Sequence, residues 1–422
     1  MTPETVLSQP NLDTQEQSQF DAGVFDSNVM KTYGRFPIAL ERGEGVWVWD
    51  TDGRQYLDCV AGIATCTLGH AHPALAEALT AQINKLHHVS NLYYIPEQGE
   101  LASWLTANSC ADKVFFCNSG AEANEAAIKL ARKYGHEVLK ADQPVILTAK
   151  SSFHGRTLAT ITATGQPKYQ KNFDPLVPGF VYVPFNDFDA LQEQVTTLNR
   201  DGKKVAAILL EPLQGEGGVN PGDQEYFKKV RALCDQHQIL LMLDEVQVGM
   251  GRTGKLWGYE NLGIEPDVFT LAKGLAGGVP IGAMLCKDAC TYLKPGDHAS
   301  TFGGNPLACA SAIAVANTLE SENLVEHVKS VGEFLSQGLQ NLMADYPQLF
   351  SGSRGWGLIQ GIVIDAEADL VAIDVVKAAM DEGLLLVPAG PKVIRFVPPL
   401  TITTDEIQMA LDRLKAAIQS LR

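Results

Sequence analysis

Three short apolar runs in this chain end on residues able to do nucleophilic, acid–base or anion-binding chemistry. The run DVFTLA at 267–272 delivers Lys273, which has no acid within five residues on either side. An amine at the end of a buried strand is desolvated, its pKa falls, and it becomes a nucleophile toward carbonyl groups. A solvated surface lysine is the plain alternative. The run ILLML at 239–243 delivers Asp244 and Glu245, with Gln247 close behind. A carboxylate placed there can hold a proton on a heteroaromatic nitrogen and make that ring an electron sink, whereas a solvated acidic turn would do no chemistry. The run KVFFC at 113–117 passes into N-S-G-A-E-A-N-E at 118–125. Ser119 and Glu122 have capping-box spacing, and the glycine turn leaves free backbone N–H groups at a helix start, a cradle for phosphate. A further string, G-M-G-R-T-G at Gly249, Gly251 and Gly254, copies a dinucleotide fingerprint. The glycine-rich K-L-W-G-Y-E-N-L-G behind it is a poor start for a long helix, so these glycines read as a tight loop.

The elements that must hold these residues follow from hydrophobic patterning. Apolar runs at 113–117, 144–149, 205–210, 239–243 and 267–272 alternate with helix-period segments such as 121–134 and 223–237. That alternation predicts an α/β fold with a mostly parallel sheet covered by helices on both faces. Ligands bind beyond the carboxyl ends of such strands, so the lysine, the aspartate and the glycine turn share one edge. Upstream, V-W-V-W-D, a turn at Asp52-Gly53 and Q-Y-L-D predict a β-hairpin. After residue 315 a helix, strand-like runs at 358–364 and 393–397, and a helix from 404 predict a smaller α/β domain. The expected organisation is a mobile acidic tail over 1–30, a segment at 31–75 joining the small domain, a large ligand-binding domain at 76–315, and the C-terminal small domain at 316–422.

Composition removes whole classes of function. The 422 residues carry 33 Lys+Arg against 49 Asp+Glu, a net charge of −16. Counterion-release binding to nucleic acid needs a basic surface, and anionic membranes repel such a chain. No apolar run reaches the roughly 18 residues of a membrane span, and no basic stretch followed by an apolar one marks a secretory signal. The eight cysteines form no C-x-x-C pair, which argues against zinc or a disulfide framework and for a reducing cytosol. No metal site is expected.

Taken in order, the motifs are specific. G-H-A-H-P at 69–73, N-L-Y-Y at 91–94, the run from Phe116 through Arg132, F-H-G-R-T at 153–157 and E-P at 211–212 come first. D-E-V-Q-x-G-x-G-R-T-G at 244–254, A-K-G at 272–274, S-T-F-G-G-N-P-L-A at 300–308 and R-F-x-P-P-L at 395–400 follow. From about Tyr33 to the C-terminus the chain resembles pyridoxal-phosphate aminotransferases of fold type I, in the class III or ω group, and within it the acetylornithine aminotransferases. The resemblance implies pyridoxal 5′-phosphate as cofactor, with Gly120 and Ala121 on its phosphate, Phe153 stacked on its ring and Asp244 at the ring nitrogen. It further implies Gln247 at the phenolic oxygen, Glu245 and Val246 in the same contacting run, and Lys273 joined to the aldehyde. It implies a homodimer with shared active sites, in which Thr301 reaches the phosphate in the other subunit.

For substrates, the resemblance implies Arg156 and Ser300 as contacts of acetylornithine and Arg395 as the binder of glutamate's α-carboxylate. Glu211 is expected to pair with Arg395 until glutamate arrives. The implied reaction moves the δ-amino group of N-acetylornithine to 2-oxoglutarate, giving N-acetylglutamate semialdehyde and glutamate, a step of arginine biosynthesis. Ile63, where ornithine enzymes carry Tyr, disfavours free ornithine, and the N-S-G-A-E-A-N-E and N-L-Y-Y strings look more like acetylornithine than 4-aminobutyrate enzymes, so these two are the weaker alternatives while succinylornithine and N-succinyl-diaminopimelate stay open. Two other classes are weighed. An aminomutase is disfavoured by Gln247, and a silent paralogue by the joint presence of Lys273, Asp244 and Arg395. Val248 stands where Ser or Thr is commoner and has no assigned consequence.

Overall fold

A computed structural model describes residues 20–421. Most of the expected N-terminal tail, residues 1–19, lies outside them. Within its remainder, Ala22–Asn28 forms a short exposed helix (α1) whose start is capped by the Asp21 carboxylate, which accepts from Gly23 N–H.

The predicted hairpin is present, with one more strand on its outer side. Leu40–Glu44 (β1), Trp47–Asp50 (β2) and Gln55–Asp58 (β3) pair antiparallel, and Leu384–Leu385 adds parallel to β3, tying this segment to the C-terminal part. Asp50 accepts hydrogen bonds from Arg54 N–H and the Tyr56 hydroxyl, which fixes the turn.

All five predicted strands of the large sheet form: Lys113–Cys117 (β4), Val145–Ala149 (β5), Val205–Leu210 (β7), Leu240–Asp244 (β8) and Val268–Leu271 (β9). Phe180–Val183 (β6) and Gly282–Cys286 (β10) complete seven, in the order β4-β10-β9-β8-β7-β5-β6. Every neighbouring pair is parallel except those of β10, which runs against both β9 and β4. Patterning missed β10 because G-A-M-L-C has no β-branched or aromatic residue. The central strands β5, β7, β8 and β9 are buried along their whole length, which is why they read as unbroken apolar runs. Burying each of their Leu, Ile and Val side chains contributes about 1.5–3 kcal/mol.

Two helices show how sequence fixes their ends. Gly120–Glu137 (α2) begins where Ser119, extended at φ −156°, accepts from Glu122 N–H, while the Glu122 carboxylate accepts from Asn118 N–H. The capping box therefore closes one residue earlier than its spacing predicts. Gln224–His237 (α3) starts at Asp223, which accepts from Tyr226 N–H, and ends at a left-handed Gln238.

The C-terminal unit folds around Phe350–Trp356 (β11), Ile359–Ile364 (β12) and Val393–Phe396 (β13), all antiparallel, with the helices Ala372–Asp381 and Thr404–Ser420 packed nearby. Arg395 sits on β13 opposite Gly361 of β12. Between hairpin and large domain, Ala61, Gly62, Ile63 and Ala64 all have positive φ, from 49° to 64°. They form one turn of left-handed helix, held at its start by the Asp58 carboxylate, which accepts from Val60 and Ala61 N–H.

Candidate active site

The parallel strands deliver their chemistry to one edge of the sheet, where a cavity of about 420 Å³ opens. Asn118 to Ala121 follow β4, Phe153 to Arg156 follow β5, Glu211 follows β7, Asp244 ends β8 and Lys273 follows β9. Because β10 runs backwards, its entry residues Gly278 to Ile281 close the same edge. Gly120, Ala121, Phe153, Arg156, Glu211, Asp244, Val246, Gln247 and Lys273 all line this one cavity.

Asp244 is buried and held from three sides. Asn124 Nδ2 donates to its Oδ2 at 2.7 Å, His154 Nδ1 lies 2.9 Å from the same oxygen, and Val246 N–H donates to Oδ1 at 3.0 Å. Thr270 Oγ1 donates to Asn124 Oδ1 and so fixes the amide's orientation. His154 and Asn124 were not singled out from the sequence. Their signal was present, since both lie inside motif strings and Asn124 falls on the buried face of α2.

Lys273 leaves its strand with φ 42°. Burial pushes its amine below the ordinary lysine value, and the nearby Arg395 charge works in the same direction against Glu216, Asp244 and Glu211. Thr67 Oγ1 donates to the next carbonyl, Gly274 O, at 2.8 Å and anchors this turn.

Arg395 is wholly buried and its pairing corrects the sequence reading. Its Nη1 donates to Glu216 Oε1 at 2.7 Å and to Gln247 Oε1 at 2.9 Å. Glu211 instead accepts from Phe153 N–H at 3.0 Å. The reason is local: after β7 the residues Leu213–Gln214 pair with Asn220–Pro221, and the intervening G-E-G-G loop presses Gly215 onto the Gln247 side chain. That places Glu216 against Arg395. Burial raises the Glu216 carboxyl, but the Arg395 and Lys273 charges outweigh it and hold the group below its ordinary value. Glu211, buried and facing Asp244, is raised well above the usual carboxylate range. Arg395 Nε and Nη2 are buried and have no hydrogen-bond partner.

Arg395 does not line the cavity itself but stands behind Glu216 and Gln247, which do, and three further predicted residues lie elsewhere. Glu245 points away from the cavity, because successive side chains at a strand end face opposite ways. Its oxygens accept from Gly258 and Tyr259 N–H, and burial pushes its carboxyl up to about 8. Ser300 and Thr301 lie outside the cavity. Ser300 Oγ accepts from Asn118 Nδ2 and Gly303 N–H, and Thr301 is exposed. Beside them Asn91 Nδ2 donates to Ser300 O and Gly303 O, tying the segment that carries the exposed Leu92, Tyr93 and Tyr94 to the loop that carries the exposed Phe302. Val248 is buried against Leu213, Val219 and Ile359.

The cavity fits pyridoxal 5′-phosphate. Ser119 to Ala121 present the start of an 18-residue helix, suited to an anion. A Cβ on Gly120 would meet Val246 Cγ1 at 2.8 Å, so the backbone there is closely packed and lies open only toward the cavity. A fixed carboxylate and an amine of lowered basicity face the same space. Among the described residues no cluster of His, Cys, Asp or Glu could hold a metal, all eight cysteines are free thiols, and no helix is long and apolar enough to cross a membrane.

Residues 29–418 match the family of class-III aminotransferases. The chain is 66% identical to an acetylornithine aminotransferase of Synechocystis over 97% of its own length and 96% of that protein's. Among solved structures it resembles the ornithine aminotransferase of Toxoplasma gondii, with TM-score 0.89 and 34% identity over 95% of each chain. It also resembles the N-acetylornithine aminotransferase of Stenotrophomonas maltophilia, with TM-score 0.80 and 41% identity over 92% of this chain and 97% of that one.

Proposed function

The chain belongs to the class-III aminotransferases, and from that premise we propose that it moves the δ-amino group of N-acetylornithine to 2-oxoglutarate in arginine biosynthesis, using pyridoxal 5′-phosphate. When bound, that group supplies an aldehyde to carry the amine and a protonated ring to take up the electron pair of a broken C–H bond. Gly120 and Ala121 would hold its phosphate through backbone N–H groups, Phe153 and Val246 would hold its ring, and Gln247 would bind its phenolic oxygen, all of them lining the one cavity. Asp244, fixed by Asn124 and His154, keeps the proton on the ring nitrogen. Lys273 would be the amine that faces the aldehyde, and its Nζ would take up and return the proton of the broken C–H bond. Its lowered basicity suits it to give that proton up as readily as to take it.

Arg395 carries the substrate argument. One nitrogen is engaged by Glu216 and Gln247, and two are buried and unpartnered. A planar guanidinium in that state is built to accept a carboxylate at two points. While N-acetylornithine presents a terminal amine, Glu216 neutralises Arg395. When glutamate presents an amine beside a carboxylate, Glu216 yields. Arg156, stacked on Tyr169 at 4.1 Å at the cavity wall, is placed to hold the acylated substrate's carboxylate.

We further propose a cytosolic homodimer. The eight free thiols favour a reducing compartment. Leu92, Tyr93 and Tyr94 are exposed on the segment that Asn91 ties to the loop bearing Ser300, Thr301 and the exposed Phe302. Pairing through this segment and loop buries these side chains and lets Thr301 of the partner subunit complete the phosphate cradle.

Single-turnover absorbance of the bound cofactor tests the switch. Glu216→Ala is expected to slow the acetylornithine half-reaction about tenfold more than the glutamate half-reaction, and Glu211→Ala is not. Equal losses in Glu216→Ala would overturn the pairing. Succinylornithine, N-succinyl-diaminopimelate, ornithine and 4-aminobutyrate run alongside rank the donors.

A further inference from the structure

The loop after β8 carries a second arginine that the reaction does not use. Arg252, in the G-M-G-R-T-G string, is 3% exposed, and among the described residues no carboxylate lies within ion-pair distance of it. Burial lowers its guanidinium to about 9. A buried, unpaired cation is costly, so its contacts must matter to the fold or to the site. They are backbone carbonyls. Nη1 donates to Leu358 O at 3.0 Å and to Pro398 O, and Arg252 O in turn accepts from Leu358 N–H at 2.9 Å.

Those two carbonyls have a shared position. In the β12–β13 pair, Gln360 faces Phe396 and Gly361 faces Arg395. Leu358 lies two residues before Gln360 and Pro398 two after Phe396, so both stand at the same end of the pair. Arg252 therefore plugs the end of the two strands from which Arg395 projects. The same loop touches Arg395 directly through Gln247. Close packing on the other side admits no slack: Gly357 has φ +50°, and a Cβ there would meet Gly254 N at 2.7 Å and Arg252 O at 2.8 Å.

We propose that Arg252 is the positioning residue for Arg395, locking the strand pair of the C-terminal unit to the loop that follows Asp244. It thereby fixes where the carboxylate-binding guanidinium stands relative to Arg156 at the cavity wall, which would hold the far carboxylate, and so sets the chain length of dicarboxylate that the site accepts. The inference rests on the reading of Arg395 as the carboxylate site.

The test uses cofactor-loaded protein and unreactive saturated dicarboxylates of four, five and six carbons, with dissociation constants from calorimetry. The native protein should bind the five-carbon acid most tightly. Arg252→Lys keeps the charge but cannot span both carbonyls. It should weaken five-carbon binding about tenfold, flatten the preference over the other lengths, and leave the acetylornithine half-reaction within about threefold. An unchanged length preference, or equal loss for all lengths and for acetylornithine, overturns the proposal. Gly357→Ala, which displaces the same loop without touching charge, must flatten the preference in the same way and decides the matter if Arg252→Lys does not fold. Arg395→Lys separates the two readings. If it leaves dicarboxylate binding intact, the Arg395 assignment itself fails. If it abolishes binding while Arg252→Lys keeps the native preference, only the positioning role fails.

Discussion

Two buried groups of the site, Asp244 in the cavity wall and Arg395 behind Glu216 and Gln247, are built on opposite plans. At one end Asp244 is buried and held in place by Asn124, His154 and Val246, which leaves Oδ1 with room for one more donor. At the other, Arg395 is equally buried yet has two nitrogens without partners. A group so fixed has nothing to gain from movement and serves the same role in every turnover. A half-satisfied one is open to exchange, because a visiting carboxylate removes a standing desolvation penalty. The contrast separates what is common to both half-reactions from what distinguishes them.

The largest effect should come from breaking the fixed end. Asp244→Asn keeps the shape but loses the charge that holds the ring proton, and kcat should fall about a thousandfold in both half-reactions alike. Stopped-flow absorbance with each substrate measures it, and a loss confined to one substrate would remove the contrast. Breaking the open end should be selective. Arg395→Ala is expected to cut kcat/KM for glutamate and 2-oxoglutarate about a hundredfold while acetylornithine loses far less. Comparable losses for both substrates would make Arg395 a general structural residue.

The smallest effect sharpens the same line just outside the cavity. Glu245 adjoins Asp244 but faces inward to the core, with burial raising its carboxyl to about 8. Between the ordinary carboxylate range and pH 8, the folded chain keeps a proton that the unfolded chain has released. Its contribution to stability is complete below the ordinary value and is lost as pH rises toward 8. Glu245→Gln should flatten the fall of melting temperature across that window by about one proton's worth of slope and leave substrate selectivity alone. An unaltered slope in thermal melts would show that Glu245 is ionised throughout.

Legibility in the sequence followed the same divide. Lys273, Asp244 and the Gly120 turn could be read because each ends a continuous apolar run, and a parallel sheet gathers such ends. The strand β10 was hidden by its lack of branched residues, and its reversed direction only appears once its neighbours are known. Glu216 was missed because its position depends on a non-local contact, Gly215 against Gln247, which no spacing rule encodes. Glu211 was the better guess by strand-end logic and lies in the cavity, yet its carboxylate is taken by the Phe153 backbone. Glu245 was misplaced for the simplest reason, the alternation of side chains at a strand end. His154 and Asn124 act through Asp244, so their place in the motif strings and, for Asn124, on a buried helix face marked them as fixed without saying which side chain they serve.

The left-handed turn at Ala61–Ala64 has a consequence for how this sequence can drift. Only one of its four residues is glycine, and each of the others carries a steric cost on the order of 1 kcal/mol. Glycine at any of those three would relieve strain in the folded chain. Mutation thus has a standing downhill path at positions immediately before Thr65, which lines the cavity. A lineage that took it would trade a stiff wall for a pliant one beside the very space where substrates are told apart.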